Sequence, residues 1–511
     1  MYWYTGHELK KYVENKLRTV KKERFLFSDV RRYLFNPDTQ RTLCLYGLRR
    51  TGKTVMALQS LSVMGKYESS LFIACEADPY KEEADTMQTL KKCIAEHPDC
   101  KYIVIDEITK MRDFVGTCSY LADAVSSTGK KVIMTGTDSL AFLFAANNEL
   151  ADRMESIHTT YIPFDEYNYL LNKSLDDYIA YGGTLTDGYT MYNEDSHLDY
   201  CNVAIAFNIM HSLANIPYRD CSHLEAGLLK KPNLVSIINN VVQQANREFL
   251  ANSLNRAFVS RDLGSTRDLL VQHSLIDSER LNSKELNERV RIFLNIENPS
   301  YLDDLTQEET DYIIDCLVKI DVLLRSKDLT GAPEYVFVQP GLRYAQCASI
   351  VDALCTSDEF LEAYSYAERE YIKEKLISDI KGNLLEDIIY VSSAKVGAEK
   401  EVAVQKYRSM GREVDLIFID RSKKICAIGE VKLSRSAEPE RQGKHLLNKE
   451  FCSEIEKRIG YPIVSRFVVY NGESYYDEKS KLDYLNAEDY LSNLSDSMLK
   501  LLDAGSTRIT D

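Results

Sequence analysis

The sequence predicts an α/β protein: a parallel sheet with helices on both faces, a mainly helical middle, and a second, smaller α/β unit towards the carboxy terminus. Three observations predict it. Short apolar runs alternate with helical stretches over the first third of the chain. The region from about Leu175 to Tyr366 reads as helix after helix. Strand-like runs then return after a helical stretch from Ser378 to Ala394. A chain of 511 residues exceeds one hydrophobic core, so several domains are expected, here 1–174, 175–370 and 371–511.

The first unit rests on the apolar runs Thr42 to Tyr46, Leu71 to Cys75, Tyr102 to Ile105 and Val132 to Thr135, closed by Thr160 to Phe164. Helices are expected at Lys53 to Val63 and from about Asp85 to Glu96. In the middle, Leu234 to Phe249 and Thr310 to Leu324 read as helices, and the latter is followed by the strand-like Tyr335 to Val338. A helix followed by a strand pair suggests a winged-helix unit. A polar stretch, 187–199, interrupts this region. The last unit takes strands at Val402 to Tyr407, Val414 to Ile419 and Ile425 to Val431, a helix over 444–459, and a strand at Phe467 to Tyr470.

Composition narrows the function classes. With 44% hydrophobic and 28% charged residues, the chain is globular rather than disordered. Met1-Tyr2-Trp3-Tyr4 runs into charged residues without a basic-then-apolar leader, and no stretch approaches the roughly 18 apolar residues of a membrane span. A cytoplasmic protein with no membrane partner is expected. Cys44, Cys75 and Cys426 sit in apolar runs and no CxxC pair occurs, which points to reduced, buried thiols. The eight histidines are scattered without zinc-ligand spacing. A net charge of −15 argues against a nucleic-acid binder that uses its whole surface, while the slightly basic stretch from Glu401 to Gly460 leaves room for a local groove.

Gly47-Leu48-Arg49-Arg50-Thr51-Gly52-Lys53-Thr54 matches GxxxxGK[ST], the Walker A phosphate loop, between an apolar strand and a helix. Glycines let the backbone curl so that its N–H groups face an anion, and the following helix presents its positive end to the same point. Lys53 is expected on the β/γ-phosphates, and the Thr54 hydroxyl on magnesium. Gly47, Arg50, Thr51, Gly52, Lys53, Thr54 and Asp106 form the expected nucleotide set. Asp106 and Glu107 end the strand Tyr102 to Ile105, at the carboxyl edge where ligands bind. Asp106 is assigned to magnesium and Glu107 to taking the proton from the attacking water. GTP is not favoured: Asn172-Lys173-Ser174-Leu175-Asp176 has one residue too many for NKxD.

Two further residues have two readings each. Thr135, at the end of its strand, either orients the attacking water or satisfies backbone. Arg153 is either a transition-state cation or an exposed arginine. At the other end of the chain, Asp415 lies in one strand and Glu430 and Lys432 end the next. Side chains alternate along a strand, so Glu430 and Lys432 share a face, and Asp415 opposite them brings two carboxylates and an ammonium together. That set suits magnesium and phosphodiester attack, with Asp415 and Glu430 as metal ligands and Glu386 as a fourth member; a solvated sheet face with an ion pair is the plain alternative.

Taken with GLRRTGKT, IVIDE (103–107), IMTGTDS (133–139), ADRMESIHTTYIPFDEY (151–167), Tyr181-Gly182-Gly183, FVQPGLR (337–343), NLLEDIIY (383–390), REVDLIFID (412–420) and GEVKLS (429–434), the chain resembles a prokaryotic family. It is that of AAA-type ATPases with a C-terminal restriction-endonuclease-like, PD-(D/E)XK domain of unknown function. The resemblance implies a P-loop NTPase sheet, a helical, winged-helix-like lid and a nuclease-like carboxy-terminal unit. Val414 stands where that motif has proline. Expected cofactors are ATP and Mg2+; expected partners are ATP and DNA, with self-association of the chain also admitted. Two functions stay open: ATP-driven processing of DNA, or a nucleotide-dependent switch whose carboxy-terminal domain binds DNA or protein without cleavage.

Overall fold

A computed structural model of the chain describes residues 1–39, 41–75, 87–111, 114, 118, 129–148, 153–185, 200–214, 221–259, 288–289, 292–293, 305–409 and 412–507. The polar stretch 187–199 lies outside the described residues. The amino-terminal sheet contains β1 (Tyr2–Thr5), β2 (Thr42–Tyr46), β3 (Ser70–Ala74), β4 (Tyr102–Asp106), β5 (Lys131–Gly136) and β6 (Met154–His158), in the order β1-β3-β4-β5-β2-β6. β1 pairs antiparallel with β3; the other pairings are parallel. Leu43 and Leu45 point to one face, against the helices Gly6–Leu17, Phe27–Phe35 and Lys53–Met64. Cys44 points to the other, among residues of Met87–Ala95 and Ser139–Asn148. With both faces covered, alternation disappears and the central strands read as unbroken apolar runs.

The closing strand is Met154–His158, not Thr160 to Phe164. β6 is an edge strand whose side chains are half-buried or exposed, so it lacks the apolar signature of its neighbours. Thr160 to Pro163 instead connect it to the helix Phe164–Leu171.

The middle region packs helices Phe207–Ala214, His223–Leu229, Leu234–Val259 and Gln307–Lys319 around one core. A capping box begins the last of these: Thr306 Oγ1 accepts the Glu309 N–H, and Glu309 returns a bond to the Thr306 N–H. The helix stops at Lys319, short of the expected Leu324, because Asp321 takes a left-handed φ of 66°. An antiparallel hairpin follows, β7 (Leu323–Lys327) with β8 (Pro333–Phe337). The helix Pro340–Cys355 then packs against Leu175–Tyr181, and the Gly341 N–H donates to the Gly182 carbonyl.

One helix of 34 residues, Tyr366–Glu399, runs from the middle region into the carboxy-terminal unit, so the expected 370/371 boundary falls inside it. It leads to an antiparallel meander of β9 (Val402–Ser409), β10 (Arg412–Asp420) and β11 (Ile425–Lys432). The helix Lys449–Ile459 then crosses to β12 (Ile463–Tyr470), parallel to β11. Two short strands that the sequence reading missed, β13 (Tyr475–Asp477) and β14 (Leu482–Asn486), complete the order β13-β14-β12-β11-β10-β9. The long helix covers Leu416, Phe418, Ala427 and Val431, while Phe451 and Ile455 cover Val414, Ile417 and Ile428.

The twelve cysteines are free thiols, Cys221 half-buried and the others buried. Among the described residues no helix is long and apolar enough to cross a membrane.

The middle region is tied to the amino-terminal sheet just beyond β5. Asp138 accepts the Ala141 N–H at the start of Ser139–Asn148, and also bonds to Ser212 and to His211 Nδ1 at 2.8 Å. The bond to Asp138 raises the His211 pKa above its ordinary 6.5.

Two predictions follow from this packing. A Cβ on Gly341 would lie 2.5 Å from the Tyr181 carbonyl carbon, so Gly341→Ala should destabilise the protein by about 1–3 kcal/mol, measured by denaturant unfolding. The raised His211 pKa gives stability that is complete below its unfolded value and is lost as pH rises through the folded one. The melting temperature of the parent should therefore exceed that of His211→Gln by about one degree near pH 5.5, the ring being 44% exposed and screened, and the margin should close by about pH 8.5.

Candidate functional site

The phosphate loop follows β2 directly. Gly47 packs so closely on Thr159 that an added Cβ would lie 2.4 Å from the Thr159 carbonyl oxygen. Gly52 has a φ of 86° and ends the loop, and no side chain caps the helix Lys53–Met64 that follows. Its first amides are therefore left to face an anion. Thr51 Oγ1 donates to the Leu48 carbonyl at 2.8 Å and lies 2.9 Å from Thr159 Oγ1, which bonds in turn to the Tyr46 carbonyl. These bonds fix the curl of the loop before any ligand arrives.

Lys53 is 4% exposed, and its ammonium donates to the Leu48 carbonyl at 2.7 Å. Burial pushes its pKa down to about 8, against the opposing pull of Glu107 and Asp106. Neither carboxylate is within ion-pair distance of it. The ammonium is thus desolvated at the end of a helix whose dipole repels it, an arrangement that an anion would relieve.

Asp106 ends β4 and is also buried, with its pKa raised chiefly by burial. Thr54 Oγ1 reaches both of its oxygens, at 2.9 and 3.1 Å, and Thr135 Oγ1 donates to Oδ1 at 2.6 Å. The same Thr135 hydroxyl accepts the Glu107 N–H at 3.0 Å. Glu107 has a left-handed φ of 58°, a conformation that costs about 1–3 kcal/mol for a non-glycine residue and so needs holding in place. Thr137, which sequence reasoning missed, holds the other end: its hydroxyl donates to Glu107 Oε2 at 2.9 Å. Asn208 of the middle region bonds to the Thr137 carbonyl at 2.7 Å.

Lys53, Thr54, Asp106, Glu107 and Thr135 therefore meet at one sheet edge. Arg153 is not among them: it is exposed, in keeping with the plainer of its two readings. Its carbonyl accepts the Thr42 N–H at the start of β2, whereas the loop leaves the end of β2. Five residues of strand separate the two, about 16 Å at roughly 3.3 Å per residue.

In the carboxy-terminal unit, the β10/β11 register sets Leu416 opposite Gly429, and so Asp415 opposite Glu430. Lys432 Nζ lies 2.9 Å from Glu430 Oε2 and 3.7 Å from Asp415 Oδ2, and the Val431 N–H donates to Asp415 Oδ2 at 2.8 Å. Burial raises the Glu430 pKa, while Asp415, Glu430 and Glu386 together raise that of Lys432 against its burial. Glu386 thus faces the group from the long helix. His445, a neighbour the sequence reading missed, lies 3.7 Å from Glu430 Oε1.

Among the described residues no cluster of three or more His, Cys, Asp or Glu side chains could hold a metal ion. Magnesium keeps several waters and takes one or two carboxylates with substrate phosphates. The donor sets fit such an ion: Thr54 with Asp106 in one site, Asp415 with Glu430 in the other. Glu430 Oε1 is buried and has no hydrogen-bond partner among the described residues.

Comparison with solved structures finds similarity to S. cerevisiae Hsp104 in an ADP complex, at 12% identity and a TM-score of 0.27, covering 78% of this chain and 58% of that one. This chain thus spans less than two thirds of that relative. The Aeropyrum pernix Orc1 protein, in complex with DNA, matches at 12% identity and a TM-score of 0.24, over 69% of this chain and 97% of that one. Cdc6p from Pyrobaculum aerophilum matches at 13% identity and 0.23, over 69% and 96%. No curated protein matches the sequence. Residues 39–168 match the family model of an AAA domain, so the loop and the carboxylate pair described above belong to an AAA-type ATPase domain with a P-loop NTPase-like parallel sheet.

Proposed function

We propose that the chain binds ATP with magnesium, hydrolyses it, and uses its nucleotide state to govern the action of the carboxy-terminal domain on DNA. One observation carries the first part: the buried Lys53 ammonium, hydrogen-bonded to a neutral carbonyl at the start of an uncapped helix. A triphosphate supplies the charge this arrangement lacks. Lys53 would leave the Leu48 carbonyl for the β/γ-phosphates, and Thr54 and Asp106 would hold the magnesium that neutralises charge developing on them. Glu107 would accept a proton from the attacking water, its carboxylate steadied by Thr137 and its backbone by Thr135.

The carboxy-terminal reading is a PD-(D/E)XK-like domain. It is supported by the succession of helix, three-strand meander, crossing helix and parallel strand, and by Asp415, Glu430 and Lys432 converging on neighbouring strands. A helix followed by the β7–β8 hairpin supports a winged-helix reading of the middle region. A second reading, a switch that binds DNA or protein without cutting, is favoured by Lys432 itself, which pairs with both carboxylates.

Lys53→Ala should abolish nucleotide binding, and Glu107→Gln should keep it while lowering ATP turnover by about 10²–10⁴-fold. A parent protein with no affinity for ATP in calorimetry sinks the reading. With ATP, magnesium and DNA present, Asp415→Ala and Glu430→Ala should leave DNA uncut where the parent cuts it. Equal cutting by all three proteins ends the nuclease assignment, and nucleotide-sensitive DNA affinity without products selects the switch.

A further inference from the structure

We infer that Arg24 is a positioning residue for the phosphate loop: it holds the Thr51 carbonyl from outside, so that the Gly52 N–H of the same peptide is aimed into the cradle. This rests on the nucleotide-binding reading above.

Arg24 precedes the helix Phe27–Phe35 and is far from the loop in sequence, yet its side chain is 4% exposed. Glu166 takes most of its fork: Nε donates to Oε1 at 3.0 Å and Nη2 to Oε2 at 2.6 Å. The Phe25 N–H also donates to Glu166 Oε1, at 2.7 Å. An ion pair needing only its own satisfaction would end there. Instead Nη1 donates to the Thr51 carbonyl at 2.8 Å, with the Thr160 carbonyl at 3.4 Å. The stem of Arg24 backs onto the same turn: a Cβ added to Gly52 would lie 3.2 Å from Arg24 Cδ.

Peptide geometry turns this contact into a function. No described peptide is cis, so the Thr51 C=O and the Gly52 N–H point in opposite directions from one rigid plane. A cation that holds the carbonyl on the outer side fixes the amide on the inner side. It also polarises the unit, making the amide a stronger donor. The Leu185 N–H does the same for the preceding peptide by donating to the Arg50 carbonyl at 2.9 Å. Lysine cannot replace Arg24 here, because one ammonium cannot serve a bidentate carboxylate and a third acceptor in a planar fork.

The test separates holding the fold from aiming the amide. Arg24→Met/Glu166→Leu removes both charges of a buried pair, which is often neutral for stability, and it removes the contact to Thr51. Its melting temperature should stay within a few degrees of the parent's, while KM for ATP rises about tenfold with kcat within about twofold. A folded double variant with the parent KM overturns the inference and leaves the nucleotide-binding reading intact. A parent that neither binds nor turns over ATP, indistinguishable from Lys53→Ala, removes both. Should the double variant fail to fold, Arg24→Lys decides: it keeps a charge for Glu166, so the folded protein should show the same KM rise, and a parent-like KM overturns the inference.

Discussion

A positive charge held in the interior without a carboxylate is the constraint around which the amino-terminal domain is arranged. Lys53 sits at the first turn of its helix, where the dipole is also positive, so two features of one sign are forced together. Burial, against the pull of Glu107 and Asp106, lowers the lysine pKa to about 8. The fold tolerates this because the loop is braced elsewhere, by Thr51 on Leu48, by Thr159 on Thr51 and by Arg24 on the Thr51 carbonyl. A loop braced on its outer side keeps its inner face ready for an anion, and less ordering remains to oppose binding.

The carboxylate side follows from strand order. β5 lies between the strand that leads into the loop and the strand that ends at Asp106. A hydroxyl at the end of β5 is therefore between the two, and Thr135, fully buried, bonds to both Asp106 and the Glu107 backbone. One side chain thus ties the Asp106 carboxylate to the backbone of Glu107. Thr137, two residues on, extends the bracing to the Glu107 carboxylate, and Asn208 carries it into the middle region.

Much of this was legible in the sequence, and what was not shares a cause. Gly47 to Thr54 could be read because the loop is contiguous, and Asp106 because an acidic residue at the end of an apolar run marks a sheet edge. Asp415, Glu430 and Lys432 could be read because a hairpin brings nearby residues face to face. Arg24 and Glu166 could not, being 142 residues apart with nothing local to link them. Arg153, the residue before β6, is exposed at the edge opposite the phosphate loop, which fits the plainer of its two readings. Thr137 carries no signal of its own, because its partner, Glu107, sits in a backbone conformation that no pattern announces.

The same contacts link the two ends of the chain. Four consecutive residues after β6 each bond to a different part of the protein. Thr159 braces the phosphate loop, and the Thr160 carbonyl faces Arg24. The Tyr161 N–H donates to Asp321 beside the β7–β8 hairpin, and the Ile162 N–H to Gly183. Lys395, on the long helix that enters the carboxy-terminal unit, lies over the Tyr161 ring at 5.4 Å. A peptide backbone cannot shift one of these residues by much without disturbing the next. Connectivity alone does not make a switch, because a ligand moves an equilibrium only by its differential affinity for two arrangements. The loop meets that condition if Lys53 exchanges the Leu48 carbonyl for a phosphate: Thr51, bonded to the same carbonyl, then loses a competitor for it, and Thr159 is its next neighbour.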